Sequence, residues 1–328
     1  MTWTTGFWKR CLVAAAIVSL VVVGGCGPKA GRVEKQQTPT VKVGYMPIAE
    51  CLPLFVAVEQ GYFDQVGLKV ELVQFPGGAP TLEALGAGSI DLAFSNLVSL
   101  IFARVGGRDF VAVWGATMEN ETHKIHGLVV RKDSSLRKLA DLRGKTIAVN
   151  TLKNIDELLL LEALGKYGVR STEVKLLEVP FPRMSTVLQN EDVDAIGVVE
   201  PFLTVSTTEQ SGRVISDYFV DALGGNVYIT SFCASQAWAG RHDVAVSRFR
   251  SAMRMAVEYC REHEDAARQT LPRYTRLSAP LAKRIVLPVF SPDLPPPAAI
   301  QNLVQRMVKR QWIREPVRAA EILHGEAP

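Results

Sequence analysis

From Val41 to Val199 the chain runs twice through the same alternation of short strand and short helix, and this alternation restricts the fold more than any other feature. Val41-Lys-Val-Gly-Tyr45 alternates in hydrophobicity and stops at Pro47, as a strand does. Leu54 to Gln60 is apolar at helical spacing and ends at Gly61, a helix stop. Leu68 to Val73 alternates strictly, and Gly77-Gly78-Ala-Pro80 interrupts it before Thr81 to Leu85 opens a helix. Ile90 to Phe94 reads as a third strand running straight into Ser95-Asn96 and another apolar helix, and Val111 to Trp114 as a fourth. The pattern then restarts. Strands are expected at Gly127 to Arg131, Thr146 to Val149, Val174 to Val179 and Val193 to Val199, separated by a helical turn at Leu139 to Gly144 and helices at Asp156 to Tyr167 and Arg183 to Gln189. Val227 to Ala234 reads as a returning strand, and from about Val244 the chain is helical apart from a Pro-rich break at Asp293 to Pro297. Strands alternating with helices imply largely parallel sheets, and two such runs in tandem imply two α/β lobes. No repeat of fixed period is present, which excludes a solenoid.

Ahead of these units lies sequence of another kind. Lys9-Arg10 precedes an apolar run from Cys11 to Val23, broken by Ser19, and then comes Val23-Gly-Gly-Cys26. The run is shorter than the ~20 residues a membrane span needs and suits a secretory signal. Small residues before a cysteine resemble a lipobox. Residues 1–25 are therefore expected as a lipoprotein signal peptide, with Cys26 carrying diacylglycerol. Residues 26–40, polar with Gly and Pro, are expected as a flexible tether. The remainder then sits outside the cytoplasm, held to the membrane through lipid; an ordinary signal peptide or an uncleaved anchor are the alternatives.

Formal net charge is +4, and Lys9 and Arg10 supply two of those charges, so the rest has no basic excess to suggest a nucleic-acid partner. With Cys26 lipidated, Cys51, Cys233 and Cys260 remain. Their wide spacing fits neither a zinc site nor a CxxC motif, and they are expected as packed thiols.

The strands and turns in this order resemble the SsuA/THI5-like (NMT1-like) substrate-binding proteins over about Val41 to Ala267. Val43-Gly-Tyr-Met-Pro47, Pro53-Leu-Phe-Val-Ala57 with Gly61-Tyr-Phe63, Gly67 to Leu72, Gly77-Gly78, Leu82 to Gly88 with Asp91, Leu139 to Val149, Val193-Asp-Ala195 and Glu200-Pro-Phe202 carry the likeness. Each piece is weak alone; their order and spacing are specific. The resemblance implies a type II periplasmic binding protein fold, in which two α/β lobes joined by two crossover strands enclose a ligand cleft. It places the crossovers near Val130 and Tyr228, giving a discontinuous first lobe of residues 41–130 and 228–328 and a second of residues 131–227. It further implies a monomer that captures a small polar organic ligand, of the sulfonate, nitrate, taurine or thiamine-pyrimidine kind, for the permease and ATPase subunits of an ABC importer. A receptor lipoprotein presenting its ligand to a membrane sensor would use the same clamp.

In open α/β sheets ligands sit beyond the carboxyl ends of strands, where helix N-termini offer unpaired N–H groups. Those ends are Tyr45-Met46-Pro47, Gly77-Gly78, Ser95-Asn96, the loop holding Thr151 and Lys153, and Glu200. Ser95 and Asn96 are expected to donate to a ligand or cap the next helix, and the paired glycines to bring backbone amides close or only to turn the chain. Glu200 is expected to accept from a ligand N–H, or to shape the lobe. Asn154-Ile-Asp-Glu157 reads as a capping box, and Asp156 places negative charge there, which weighs against an anion. Where relatives carry Trp before the Glu, this chain has Val199; Tyr45, Trp114 and Phe181 are candidate replacements.

The same family includes enzymes that make the thiamine pyrimidine with a histidine and a Cys-rich iron-binding run. This chain has five histidines and no clustered cysteines, and it carries no P-loop, GxSxG or HExxH. The pair His123 and His126 is weak as a metal motif. No catalytic residue, cofactor or metal is expected.

Overall fold

The computed structural model describes residues 40–209 and 212–325. Residues 1–39, where a signal peptide, the lipidated Cys26 and a tether are expected, lie outside the described residues. Eleven strands are described: β1 (Thr40–Tyr45), β2 (Lys69–Gln74), β3 (Leu92–Asn96), β4 (Phe110–Glu119), β5 (His126–Arg131), β6 (Thr146–Val149), β7 (Lys175–Glu178), β8 (Ala195–Val199), β9 (Gly212–Ser216), β10 (Val227–Ser235) and β11 (Val289–Phe290). They form two sheets, one in the order β11-β4-β10-β3-β1-β2, the other β7-β6-β8-β5-β9.

Each sheet is parallel where strand-helix-strand units build it. β1 runs parallel to β2 and β3, and β6 parallel to β7 and β8. The exceptions are β11, which pairs antiparallel with β4, and the strands that enter from the other lobe. β5 pairs antiparallel with β8 and β9, and β10 antiparallel with β3 and β4. Central strands are covered on both faces and read as unbroken apolar runs, as every residue of β8 and Leu92 to Ser95 of β3 are buried; edge strand β2 is nowhere fully buried. Val130, assigned above to the first lobe, pairs with Arg213 in the second sheet, so the chain crosses earlier, between Glu119 and His126. A strand buried between two neighbours has the same apolar sequence whichever sheet accepts it, so periodicity does not locate the crossing. The return runs through the helix Tyr218–Leu223 to β10.

Helices anchor the first lobe. The helix Asp243–Glu262 buries Val246, Phe249, Met253, Ala256 and Cys260 on one face, at the spacing an amphipathic helix demands, and packs on the helix Leu52–Glu59. Phe249 stacks on Phe63 with centroids 5.8 Å apart and meets Phe232 edge-on at 5.2 Å. The helix Pro297–Lys309 lies against the helix Leu97–Val105, and Trp312 rests on Phe102. A Cβ on Gly115 would stand 1.7 Å from the Asp293 carbonyl oxygen, so only glycine lets the Pro-rich segment cross β4 here. Cys51, Cys233 and Cys260 are buried free thiols; burial pushes Cys233 and Cys260 up to about 12, which keeps them as neutral packing groups.

Candidate functional site

The carboxyl ends of β1, β3, β6 and β8 converge between the lobes on a cavity of about 30 Å³, room for a water or two. A larger ligand enters only when the lobes part. Met46, Gly78 and Asn96 line it from the first lobe, and Asn150, Asn154, Phe181 and Val199 from the second.

The helix Gly78–Gly86 starts at the cavity, which Gly78 lines, and its N-cap residue Gly77 supplies no side-chain cap. A Cβ on Gly77 would approach Asn150 Oδ1 to 3.2 Å and Thr151 Oγ1 to 3.4 Å, and one on Gly78 would lie 2.7 Å from Ser95 Oγ. Gly77 is extended, at φ −170°. The paired glycines serve close approach, which brings the first lobe onto the loop of the second.

Asn96 caps the helix Leu97–Val105, its Oδ1 accepting from Ser99 N at 2.9 Å, and it also lines the cavity. Ser95 Oγ beside it is fully buried, with no hydrogen-bond partner among the described residues. Thr151 donates to Asn150 Oδ1 at 3.2 Å at the cleft edge. Asn154 accepts from Glu157 N at 3.0 Å, but Glu157 returns to Lys153 N rather than Asn154 N, so the capping box is displaced by one residue.

Other expected residues lie elsewhere. Tyr45 packs edge-on against Phe55 at 5.4 Å and reaches Gln74, inside the first lobe. Pro47 ends β1 outside the cavity lining. Lys153, with φ +53°, is exposed. Trp114 is buried under Arg254, so of the three aromatic candidates Phe181 alone reaches the cavity, stacked on Phe202 at 5.5 Å.

Glu200 requires a correction. Its carboxylate accepts from Thr204 N at 3.0 Å, Thr204 Oγ1 at 2.8 Å and Val286 N at 3.2 Å. Its backbone oxygen accepts from Ala49 N at 3.1 Å. These donors occupy the group that was expected to face a ligand, and Glu200 instead ties the second lobe to the first.

The floor of the cavity is lined by Asp156, which the sequence reading placed at this strand end as negative charge, and by Glu50, His126 and Thr230, which the strand-end reasoning did not bring to it. Glu50 Oε1 accepts from Thr117 at 2.8 Å, and Thr117 shares a 2.6 Å hydrogen bond with Thr230. Asp156 accepts from Tyr218 and Asn154, each at 2.9 Å. Glu119 Oε2 accepts from Ile125 N, His126 N and His126 Nδ1. The imidazole is fixed by this bond and by stacking on Phe219 at 3.7 Å, whereas His123 sits in the exposed turn before it. Burial pushes the Glu50 carboxyl up to about 7, opposed by the nearby His126 and the Thr117 bond. Asp156 is raised for the same reason, against His126 and its Tyr218 bond. Burial alone would lower His126, but Glu119, Asp156 and Glu50 outweigh it and hold the ring above its ordinary value. The available sequence signal was an isolated acid or histidine inside an apolar run, at Ile48-Ala-Glu50 and Ile125-His-Gly127.

The family model described as NMT1/THI5 like matches residues 48–267. The chain belongs to this family. A Bacillus subtilis protein named for aliphatic sulfonate binding is 25% identical over 264 residues, 79% of this chain and 76% of that one. The periplasmic aliphatic sulphonate binding protein SsuA of Escherichia coli superposes with TM-score 0.72 at 21% identity, covering 87% of this chain and 97% of that one. The alkanesulfonate-binding SsuA of Xanthomonas axonopodis, bound to MOPS, gives 0.74 at 23%, over 86% and 97%. At these identities the likeness establishes the fold, which is the periplasmic binding protein fold.

Proposed function

We propose that the chain is the extracytoplasmic solute-binding lipoprotein of an ABC importer, holding a small polar organic molecule between its lobes for permease and ATPase subunits. The observation that carries this reading is the cavity itself, which strand ends and a helix N-terminus from both lobes enclose together. Membership of the NMT1/THI5-like family and relatives named as binding proteins support it. The cavity walls supply amides, backbone N–H groups and apolar surface, a set suited to holding a ligand. The ligand is captured by lobe closure, which follows from its higher affinity for the closed form.

A thermal-shift screen of the soluble chain against sulfonates, nitrate, taurine, amines and pyrimidines tests the reading, with recovery of unchanged ligand after release. Phe181→Ala should weaken any hit by about tenfold through lost burial. Absence of binding by every compound counts against solute capture.

The lipid anchor is part of the same proposal. Lys9-Arg10, the apolar run and Val23-Gly-Gly-Cys26 support it. Palmitate fed to expressing cells should label the wild type and spare Cys26→Ser; equal labelling of both would reject the anchor.

A further inference from the structure

The floor of the cavity is built with the wrong sign for an anion. Two carboxyl groups, Glu50 and Asp156, share it with the His126 imidazole, and a third, Glu119, lies behind that ring. His126 donates its Nδ1–H to Glu119, so one ring nitrogen is already committed. Glu119 Oε1 is fully buried and has no hydrogen-bond partner among the described residues. Among the described residues, the hydrogen-bond donor to Glu50 is Thr117, on Oε1. Buried acceptors therefore outnumber buried donors, and a carboxylate held out of water demands either a proton or a cation. Above this floor, Met46, Phe181 and Val199 offer apolar wall and Asn96 and Asn150 offer amides.

We propose that the ligand carries an organic ammonium or amidinium group, seated over Glu50 and Asp156 with its apolar body against Phe181 and Met46. The assignment rests on the solute-capture reading and narrows it. A sulfonate lowered to this floor would face carboxylates at short range in a water-poor site, where like charges repel most strongly. A cation supplies the donors the floor lacks, and its binding favours the ionised form of Glu50. The groups that act on Glu50 are Glu119 on β4, His126 on β5, Asp156 on the helix Ile155–Lys166, and the Thr117 hydroxyl. Because Glu50 titrates at about 7, affinity for a cation should rise between about pH 6 and 8.

Two matched pairs test this on the soluble chain by calorimetry and thermal shift: benzamidine with benzenesulfonate, and propylamine with propane-1-sulfonate. The cationic member of at least one pair should bind and its sulfonate should not. Glu50→Gln and Asp156→Asn, each checked for native circular dichroism, should weaken the cation about tenfold or more. Glu50→Gln should also flatten the rise with pH. Binding of the sulfonates alone, or of no cation in either pair, overturns the assignment. Sulfonate binding would do so while leaving solute capture standing, whereas silence across the whole earlier screen would reject solute capture itself.

Discussion

Glu50 couples the site to the stability of the fold. Its carboxyl is held near 7 in the folded chain, above its ordinary value, because burial disfavours the charge. The folded state therefore binds a proton that the unfolded state has released, and stability falls as pH rises from about 4.5 to 7, by about 3 kcal/mol at most. His126, whose folded value is also raised, acts in the same direction, its contribution being lost as pH rises through that value. Glu50→Gln should leave the chain more stable than wild type at pH 8 and flatten the slope, as urea midpoints at pH 5 and 8 will reveal. Glu200 behaves differently. Its carboxylate serves Thr204 and Val286, so Glu200→Ala should cost about 2–3 kcal/mol in urea unfolding. Asn96→Ala removes a helix cap and should cost about 1 kcal/mol, while Asn96→Asp keeps the acceptor and the stability. Asn96 and Gly78, which strand-end signals pick out in the sequence, both line the cavity. Those signals passed over Glu50 and His126, because a charged residue between apolar neighbours carries no period, and its burial depends on what the opposite lobe brings to it.

At the level of elements, the strong alternations were legible. β1, β6 and the helix Ile155–Lys166 fall within a residue or so of where hydrophobic spacing puts them. β9 and the helix Tyr218–Leu223 were not read, and the reason is local. Gly212-Arg-Val-Ile-Ser216 is short, lies at a sheet edge and is mostly half-buried, so it shows neither a clean alternation nor a continuous apolar run. β11, two residues pinned against Met118 and Thr117, exists only through its pairing with β4. The Pro-rich segment beside it depends on Gly115. Gly115→Ala should drive the Asp293 carbonyl off β4 and cost about 1–3 kcal/mol or more, measured by thermal unfolding, with the second lobe's amides keeping their hydrogen-exchange protection.

Across the whole molecule, one ion-pair cluster joins the lobes away from the cavity. Glu162, on the helix Ile155–Lys166 of the second lobe, pairs with Arg306 and, at 2.7 Å, with Arg310 at the end of the helix Pro297–Lys309, which the first lobe carries. Glu162 is 13% exposed and Arg310 18%, enough shielding to make the pairs more than a solvated contact. Glu162→Gln should favour the open form by about 1–2 kcal/mol. Small-angle scattering should then report a larger radius of gyration than wild type, and any hit from the screen should dissociate faster though no residue of the cavity has changed. An unchanged radius would remove this cluster from the account of closure.

The position of β10 has a consequence for how the chain is made. It lies in the middle of the first sheet, between β3 and β4, yet it is synthesised after every strand of the second. Until residue 235 has emerged, β4 has no neighbour and β3 exposes an open edge, while the second sheet has been complete since Ser216. Open edges of this kind are where holding factors and aggregation compete while the first domain stays unfinished. Pulse-labelled hydrogen exchange during refolding should show β6 and β8 protected ahead of β3 and β4, so the last half of the sequence decides when the first half becomes a protein.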